Sequence, residues 1–205
     1  MAESRGGERG DRRSFLRSAL VGAGALGGAV LVQPPRVAAA GIPALTRTAS
    51  WSAERRLREL GIRLPPPDPR QQASMLAPGV RSGNLLFMSG HGPRGEDGYI
   101  TGKVGADLTE EQGNAAARAA GENILAAVRE FLEGDLDRVS RVVKVLGMVN
   151  AAPDFARQSQ VINGFSELMI EVFGDAGRAA RSAVGMSSLP FNWAVEVEAI
   201  FELTS

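Results

Sequence analysis

From Val139 to Val149 apolar side chains recur on both alternating faces of an extended chain. Val139, Val143 and Val145 lie on one face and Val142, Leu146 and Met148 on the other, with Arg141 and Lys144 among them. A strand apolar on both faces belongs in the middle of a sheet, so the rest of the chain has to supply flanking strands and covering layers. Thr109-Glu110-Glu111-Gln112 reads as a capping box, with Thr at N-cap and Gln at N3. The helix it opens runs to about Leu132, with Ala117, Ala120, Ile124, Val128 and Phe131 at helical spacing. Pro153 is expected to start a second helix, lined by Phe155, Ile162, Phe165, Met169, Val172 and Phe173 and ended by Gly174.

Strands bracket this unit. Met75–Arg81, broken by Pro78 and Gly79, reads as an edge strand. Gly83-Asn84 reads as a hairpin turn into a buried strand at Leu85–Ser89. The Gly-rich stretch from Gly90 to Gly105 reads as a loop with at most a short strand, and Ala180–Ser187 and Ala194–Leu203 as the final two strands. Upstream, Ser50–Gly61 reads as a short helix capped by Ser52, and the Pro65–Pro69 stretch as polyproline. The order β-β-α-β-α-β-β, without the upstream helix, predicts an α+β domain with two helices packed on one face of a mixed sheet. On the last strand Val195, Val197, Ala199, Phe201 and Leu203 share one side, and Glu196, Glu198, Ile200 and Glu202 the other. Three carboxylates would repel one another in a sealed layer, so that side is expected at solvent or at a subunit interface.

The first 40 residues read as an export signal rather than as fold. Arg12-Arg13-Ser14-Phe15-Leu16 is a twin-arginine pattern, the apolar stretch Ala19–Val32 is short for a membrane span, and Ala38-Ala39-Ala40 is a cleavage site before Gly41. The expectation is export through the Tat translocon to a periplasmic or secreted location, with no stable membrane association once cleaved; an uncleaved anchor is the alternative. Residues 41–50 read as a linker and residues 51–205 as the domain.

The full chain of 205 residues carries 23 basic and 23 acidic side chains. Removing residues 1–40 takes away six Arg and three acidic residues, leaving 17 basic against 20 acidic, a net charge of −3. Such a surface does not favour nucleic acid. Cysteine is absent and His91 is the single histidine. Disulfides, thiolate metal sites and cysteine nucleophiles are thereby excluded, and no cofactor or metal is expected.

Chemistry concentrates near the C-terminus. Arg181, in Arg181-Ser182-Ala183-Val184-Gly185, and Glu196 fall on what read as two neighbouring strands. The arginine fork suits a substrate carboxylate, and a glutamate beside it can orient or activate a water. The plainer readings are an interface salt bridge from Arg181 to Glu198 or Asp175, and a solvated strand carboxylate at Glu196.

Several segments resemble the RidA/YjgF/UK114 family. Gly83-Asn84-Leu85-Leu86-Phe87-Met88-Ser89-Gly90 is similar to its GNLLFVSGQ signature. Asp135-Leu136-Asp137-Arg138-Val139 through Lys144-Val145 is similar to its GDLDDVVKVTVF stretch, and the arginine segment and the Val195–Ile200 run resemble its C-terminal signature. The resemblance spans roughly residues 60–203 and is nearest to a branch with an ARSAVG motif and a longer second helix.

That resemblance implies a chorismate-mutase-like fold assembled as a homotrimer around a central barrel, with clefts for small carboxylate-bearing ligands between subunits. It implies hydrolysis of 2-imino or enamino acids to 2-keto acids and ammonia, a non-catalytic carboxylate-binding module being the alternative; some relatives carry an endoribonuclease label. By position, Arg181 matches the carboxylate clamp and Glu196 the water-positioning glutamate. Ser89, Gly90 and Asn163 match cleft-lining positions, although Asn163 reads equally as a helix cap or bridge. The sequence departs from the family at Leu76, where a tyrosine is expected, at Ala183 and Ala179, and at His91, which replaces a glutamine. His91 reads either as a surface residue or as a pH-sensitive cleft group.

Overall fold

The computed structural model describes residues 51–69 and 75–204, all within the unit Pro43–Ser205. The expected export signal (1–40) and linker (41–50) lie outside the described residues. Among the described residues no helix is long and apolar enough to cross a membrane.

Helix α1 (Ala53–Glu59) starts as expected at Ser52, whose Oγ accepts from Arg55 N. Strands β1 (Gly79–Ser82) and β2 (Leu85–His91) form an antiparallel hairpin, with Gly83 at φ +61 in the turn. The Gly-rich stretch holds a minimal hairpin, β3 (Arg94–Gly95) and β4 (Gly98–Tyr99). Helix α2 (Glu110–Phe131) carries both halves of the Thr109/Gln112 capping box. Strand β5 (Val139–Asn150) follows, then α3 (Gln158–Phe173), β6 (Ala180–Met186) and β7 (Val195–Leu203).

The sheet order is β1-β2-β7-β5-β6. Only the β5–β6 pair is parallel, as the α3 crossover between them requires. β5 is paired on both sides, as its two-faced apolar pattern predicts. Helices α2 and α3 cover one face. Against them pack the rows Leu86–Phe201–Val142 and Met88–Ala199–Val145, whose apolar side chains are at most 5 % exposed. The helices approach closely at Gly164, where a Cβ would sit 2.1 Å from the Asn114 carbonyl oxygen.

Several expectations are corrected. The sheet is open, ending at β1 and β6, and does not close into the expected trimeric barrel. Its two outer strands pair on one side only, so no ladder joins them. Helix α3 begins at Gln158, because Pro153-Asp154 forms a turn ahead of it. Phe131 is 42 % exposed, at the last turn of α2 where the helix runs past the core. β2 is buried on one face only, with Phe87 outward and 41 % exposed.

Among the described residues no helix covers the other sheet face. Its cross-strand row Val80–Phe87–Ile200–Lys144 is apolar but for the lysine, and Val80 is 56 % exposed. The β7 carboxylates lie on this face, as their alternation predicts: Glu198 is exposed and Glu196 and Glu202 partly covered.

Candidate functional site

Arg181 and Glu196 do not meet within the chain. β5 lies between their strands, so the expected adjacency is wrong. They also point to opposite faces. Arg181 is in register with Val145 and Ala199 on the helix-covered side, and Glu196 with Met148 on the open side. The parallel crossover through α3 inserts β5 between the two, an arrangement that strand order along the chain cannot reveal.

Arg181 is held by α3. Its Nη1 donates to Asn163 Oδ1 and to Ser166 Oγ, each at 2.9 Å, and its Nη2 to the Ser159 carbonyl at 3.3 Å. These partners are neutral and, among the described residues, no carboxylate pairs with the guanidinium, which can therefore receive an anion. Asn163 thus stands beside Arg181, and the two are brought together as a pair.

Glu196 is built into a second locality. Between Met88 and His91 the β2–β7 register slips: three steps along β2 oppose two along β7. The extra residue of this bulge falls at Ser89-Gly90. Gly90 then lies directly under Glu196, and a Cβ there would sit 2.0 Å from Glu196 Oε1. Ser89 N and Oγ donate to the Pro78 and Ala77 carbonyls at 3.0 and 2.7 Å, which ties the bulge to the segment before β1. Burial, with the Glu198 charge nearby, pushes the Glu196 carboxyl above the usual glutamate value. A half-buried carboxyl that protonates more readily than usual is suited to exchanging protons with a bound ligand or water.

The same bulge corrects the reading of His91. Strict alternation would put it on the open face with Ser89; the extra residue turns it onto the covered face, opposite Val197. It is 2 % exposed and does not line the cleft described below. Its Nδ1 lies 2.6 Å from the Ser89 carbonyl. A carbonyl only accepts, so Nδ1 carries the proton and Nε2 is the acceptor. Burial holds the imidazole below its usual value, partly offset by the Ser89 carbonyl and by the charge of Asp68.

Ser89, Gly90 and Glu196 line a cleft of about 360 Å³. Leu76, Ala77, Pro78, Pro190, Phe191 and Trp193 supply its apolar lining, and Asp68 lines it as well. Leu76, where a tyrosine was expected, is thus a cleft residue. Ala183 is not: it packs with the core on the covered face. Sequence reasoning missed Phe191, Trp193 and Asp68. The signal available for the first two was the Pro190-Phe191-Asn192 punctuation just before β7, which marks a turn able to project side chains. Among the described residues no group of three or more His, Cys, Asp or Glu side chains is placed to hold a metal ion.

Comparison with known proteins agrees with this architecture. Residues 55–203 match the family described as "YjgF/chorismate mutase-like, putative endoribonuclease". Protein TCP17 of Trypanosoma cruzi is 45 % identical over 159 residues, covering 77 % of this chain and 98 % of that protein. The crystal structure of Atu1372 from Agrobacterium tumefaciens, a protein of unknown function, superposes with a TM-score of 0.68 at 44 % identity, covering 75 % of this chain and 94 % of that one. A "putative endoribonuclease" of Shewanella oneidensis superposes with a TM-score of 0.69 at 29 % identity, covering 74 % and 99 %. With the family match running through the sheet, both covering helices, the arginine socket and the glutamate cleft, the chain belongs to the RidA/YjgF chorismate-mutase-like family.

Proposed function

We propose that this protein hydrolyses 2-imino or enamino acids to 2-keto acids and ammonia, at clefts completed by association of copies of the chain. The observation that carries the reading is the Glu196 carboxyl, held above the usual glutamate value beside Ser89 and Gly90 at an open, largely apolar cleft. An iminium carbon is already electrophilic, so positioning supplies much of the catalysis. Glu196 takes a proton from water as the oxygen adds to the imine carbon. It returns that proton to the nitrogen of the carbinolamine, and as the carbon–nitrogen bond breaks and ammonia leaves, the carbinol hydroxyl passes its own proton to the Glu196 carboxylate, leaving the 2-keto acid.

The substrate carboxylate needs a cation, and Arg181 is the candidate: its fork is pre-oriented by Asn163 and Ser166. Since Arg181 and Glu196 of one chain lie on opposite sheet faces, their joint use requires a second copy. The uncovered row Val80–Phe87–Ile200 supports self-association, because apolar side chains of that size are ordinarily buried.

The test is ammonia release from freshly generated 2-imino acids. The protein is expected to accelerate it over buffer, with a loss of at least about tenfold in Arg181→Ala and in Glu196→Gln. No acceleration, or an undiminished rate in Arg181→Ala, overturns the proposal. A second reading, a carboxylate-binding module without turnover, is favoured by the apolar Leu76 at the expected tyrosine position and by Ala183. It predicts thermal stabilisation by 2-keto acids that Arg181→Ala abolishes. The ribonuclease activity in the family description has less support here, because the segment after residue 40 carries a net charge of −3.

A further inference from the structure

We infer that the cleft beside Glu196 selects ligands with a large apolar or aromatic side chain, seated against Phe191 and Leu76, over ligands with a methyl-sized one. The inference rests on the reading of this cleft as a 2-imino acid site and names the substrate class within it.

The wall offers two kinds of chemistry. Asp68, Ser89 and Glu196 are polar, and Leu76, Pro190, Phe191 and Trp193 are apolar. A 2-imino acid carries the same division, a polar head and a side chain. At about 360 Å³ the cleft is within the range of small-ligand sites, about 300–1,000 Å³, and far larger than a methyl group needs.

Phe191 is the most informative wall residue. It has φ +54, a conformation that bulky residues rarely adopt, and its side chain is 70 % exposed. Were closing the turn the whole task, glycine would do it without strain. The strain is retained because the surroundings enforce it. Asn192 N and Trp193 N donate back to the Leu189 and Pro190 carbonyls, each at 3.1 Å, and Gly102 N donates to the Asn192 carbonyl at 2.9 Å. Asn192 Oδ1 accepts from Asn150 Nδ2 at 3.0 Å, while Asn150 Oδ1 accepts from Lys103 Nζ at 2.8 Å. The turn is thus clamped from two sides.

Behind Phe191 stands an aromatic ladder. Its ring lies 5.3 Å from that of Trp193, and Trp193 stacks on Tyr99 at 5.1 Å and 17°. The Tyr99 hydroxyl donates to Asp68, which also lines the cleft. Gly92 lets the indole lie flat, since a Cβ there would sit 2.5 Å from its ring. A rigid, preorganised aromatic platform beside a polar head-group pocket favours an apolar or flat side chain, because the protein orders nothing further on binding.

Calorimetry with phenylpyruvate and pyruvate tests the inference apart from turnover. Phenylpyruvate is expected to bind at least about tenfold more tightly than pyruvate, and Phe191→Ala to shrink that gap to about threefold or less. Phe191→Gly, which takes φ +54 without strain, is the companion variant if the alanine form does not fold, and is expected to lose the same discrimination. Equal affinity for the two acids, binding of neither, or a gap unchanged in the folded variant overturns the inference. Selective binding without ammonia release overturns the deaminase reading and leaves the selectivity standing; turnover that is fastest on the alanine-derived imine does the reverse.

Discussion

The two faces of the same five-stranded sheet do different work. On the covered face Val195, Val197, Ala199, Phe201 and Leu203 of β7 are at most 3 % exposed beneath α2 and α3. On the open face the same strand presents Glu196, Glu198, Ile200 and Glu202, each half-buried or exposed. Arg181 belongs to the first face and Glu196 to the second. The buried core and the arginine socket therefore lie on one side of the sheet, and the glutamate cleft on the other. The proposed chemistry needs the open side of one copy to reach the arginine edge of another.

The sharpest break in that comparison is a pair of phenylalanine truncations. Phe201 is fully buried and meets Phe173 edge-on at 6.4 Å. Phe201→Ala is expected to cost about 3–5 kcal/mol in urea unfolding. Phe87→Ala on the open face is expected to cost less than about 1 kcal/mol in the isolated chain, while weakening self-association as read by sedimentation. Equal costs would show that the open face is already sealed within the chain.

Glycines sharpen the contrast next. Gly164→Ala drives a Cβ into the Asn114 backbone and is expected to cost about 1–3 kcal/mol. Gly90→Ala meets first the carboxylate end of the Glu196 side chain rather than backbone. It is expected to cost less than about 1 kcal/mol yet to displace that carboxylate and depress ammonia release by about tenfold or more. Arg181→Ala removes three hydrogen bonds to α3, with an expected cost of about 1–3 kcal/mol. If that variant keeps wild-type stability, the socket serves ligand binding more than fold.

The smallest expected effect is in pH. His91 has its folded value depressed below the ordinary 6.5. Its contribution to stability is present above 6.5 and is lost as pH falls through the lower folded value. Glu196 has its folded value raised above the ordinary 4.5; its contribution is present below 4.5 and is lost as pH rises through the higher value. Melting temperatures of His91→Asn and Glu196→Gln followed across pH 4–8 separate the two. The asparagine variant is expected to flatten the acid-side loss and the glutamine variant to flatten the decline on the other side.

Much of the fold was legible because local chemistry wrote it. The Thr109/Gln112 box, the Gly83-Asn84 hairpin, the Ser52 cap and the two-faced β5 pattern each satisfy backbone groups or bury side chains within a few residues of themselves. The site was less legible. Ser89, Gly90 and Glu196 share a cleft, and Asn163 sits on Arg181, but His91 was misplaced by one bulge residue. Phe191 and Trp193 went unnoticed because a turn before a strand does not say what it faces. The start of α3 was misread because a proline tolerated in a first helical turn is equally at home in the turn before one.

By itself the sequence determined which residues extend, which coil and which face of each element is apolar, since those follow from period and capping alone. Strand order, the insertion of β5 between β6 and β7, the open edges of the sheet and the bulge that turns His91 inward were decided only in three dimensions. They depend on which edge the α3 crossover returns to and on how one extra residue is absorbed against a partner strand. Both are properties of pairing between distant segments rather than of either segment alone.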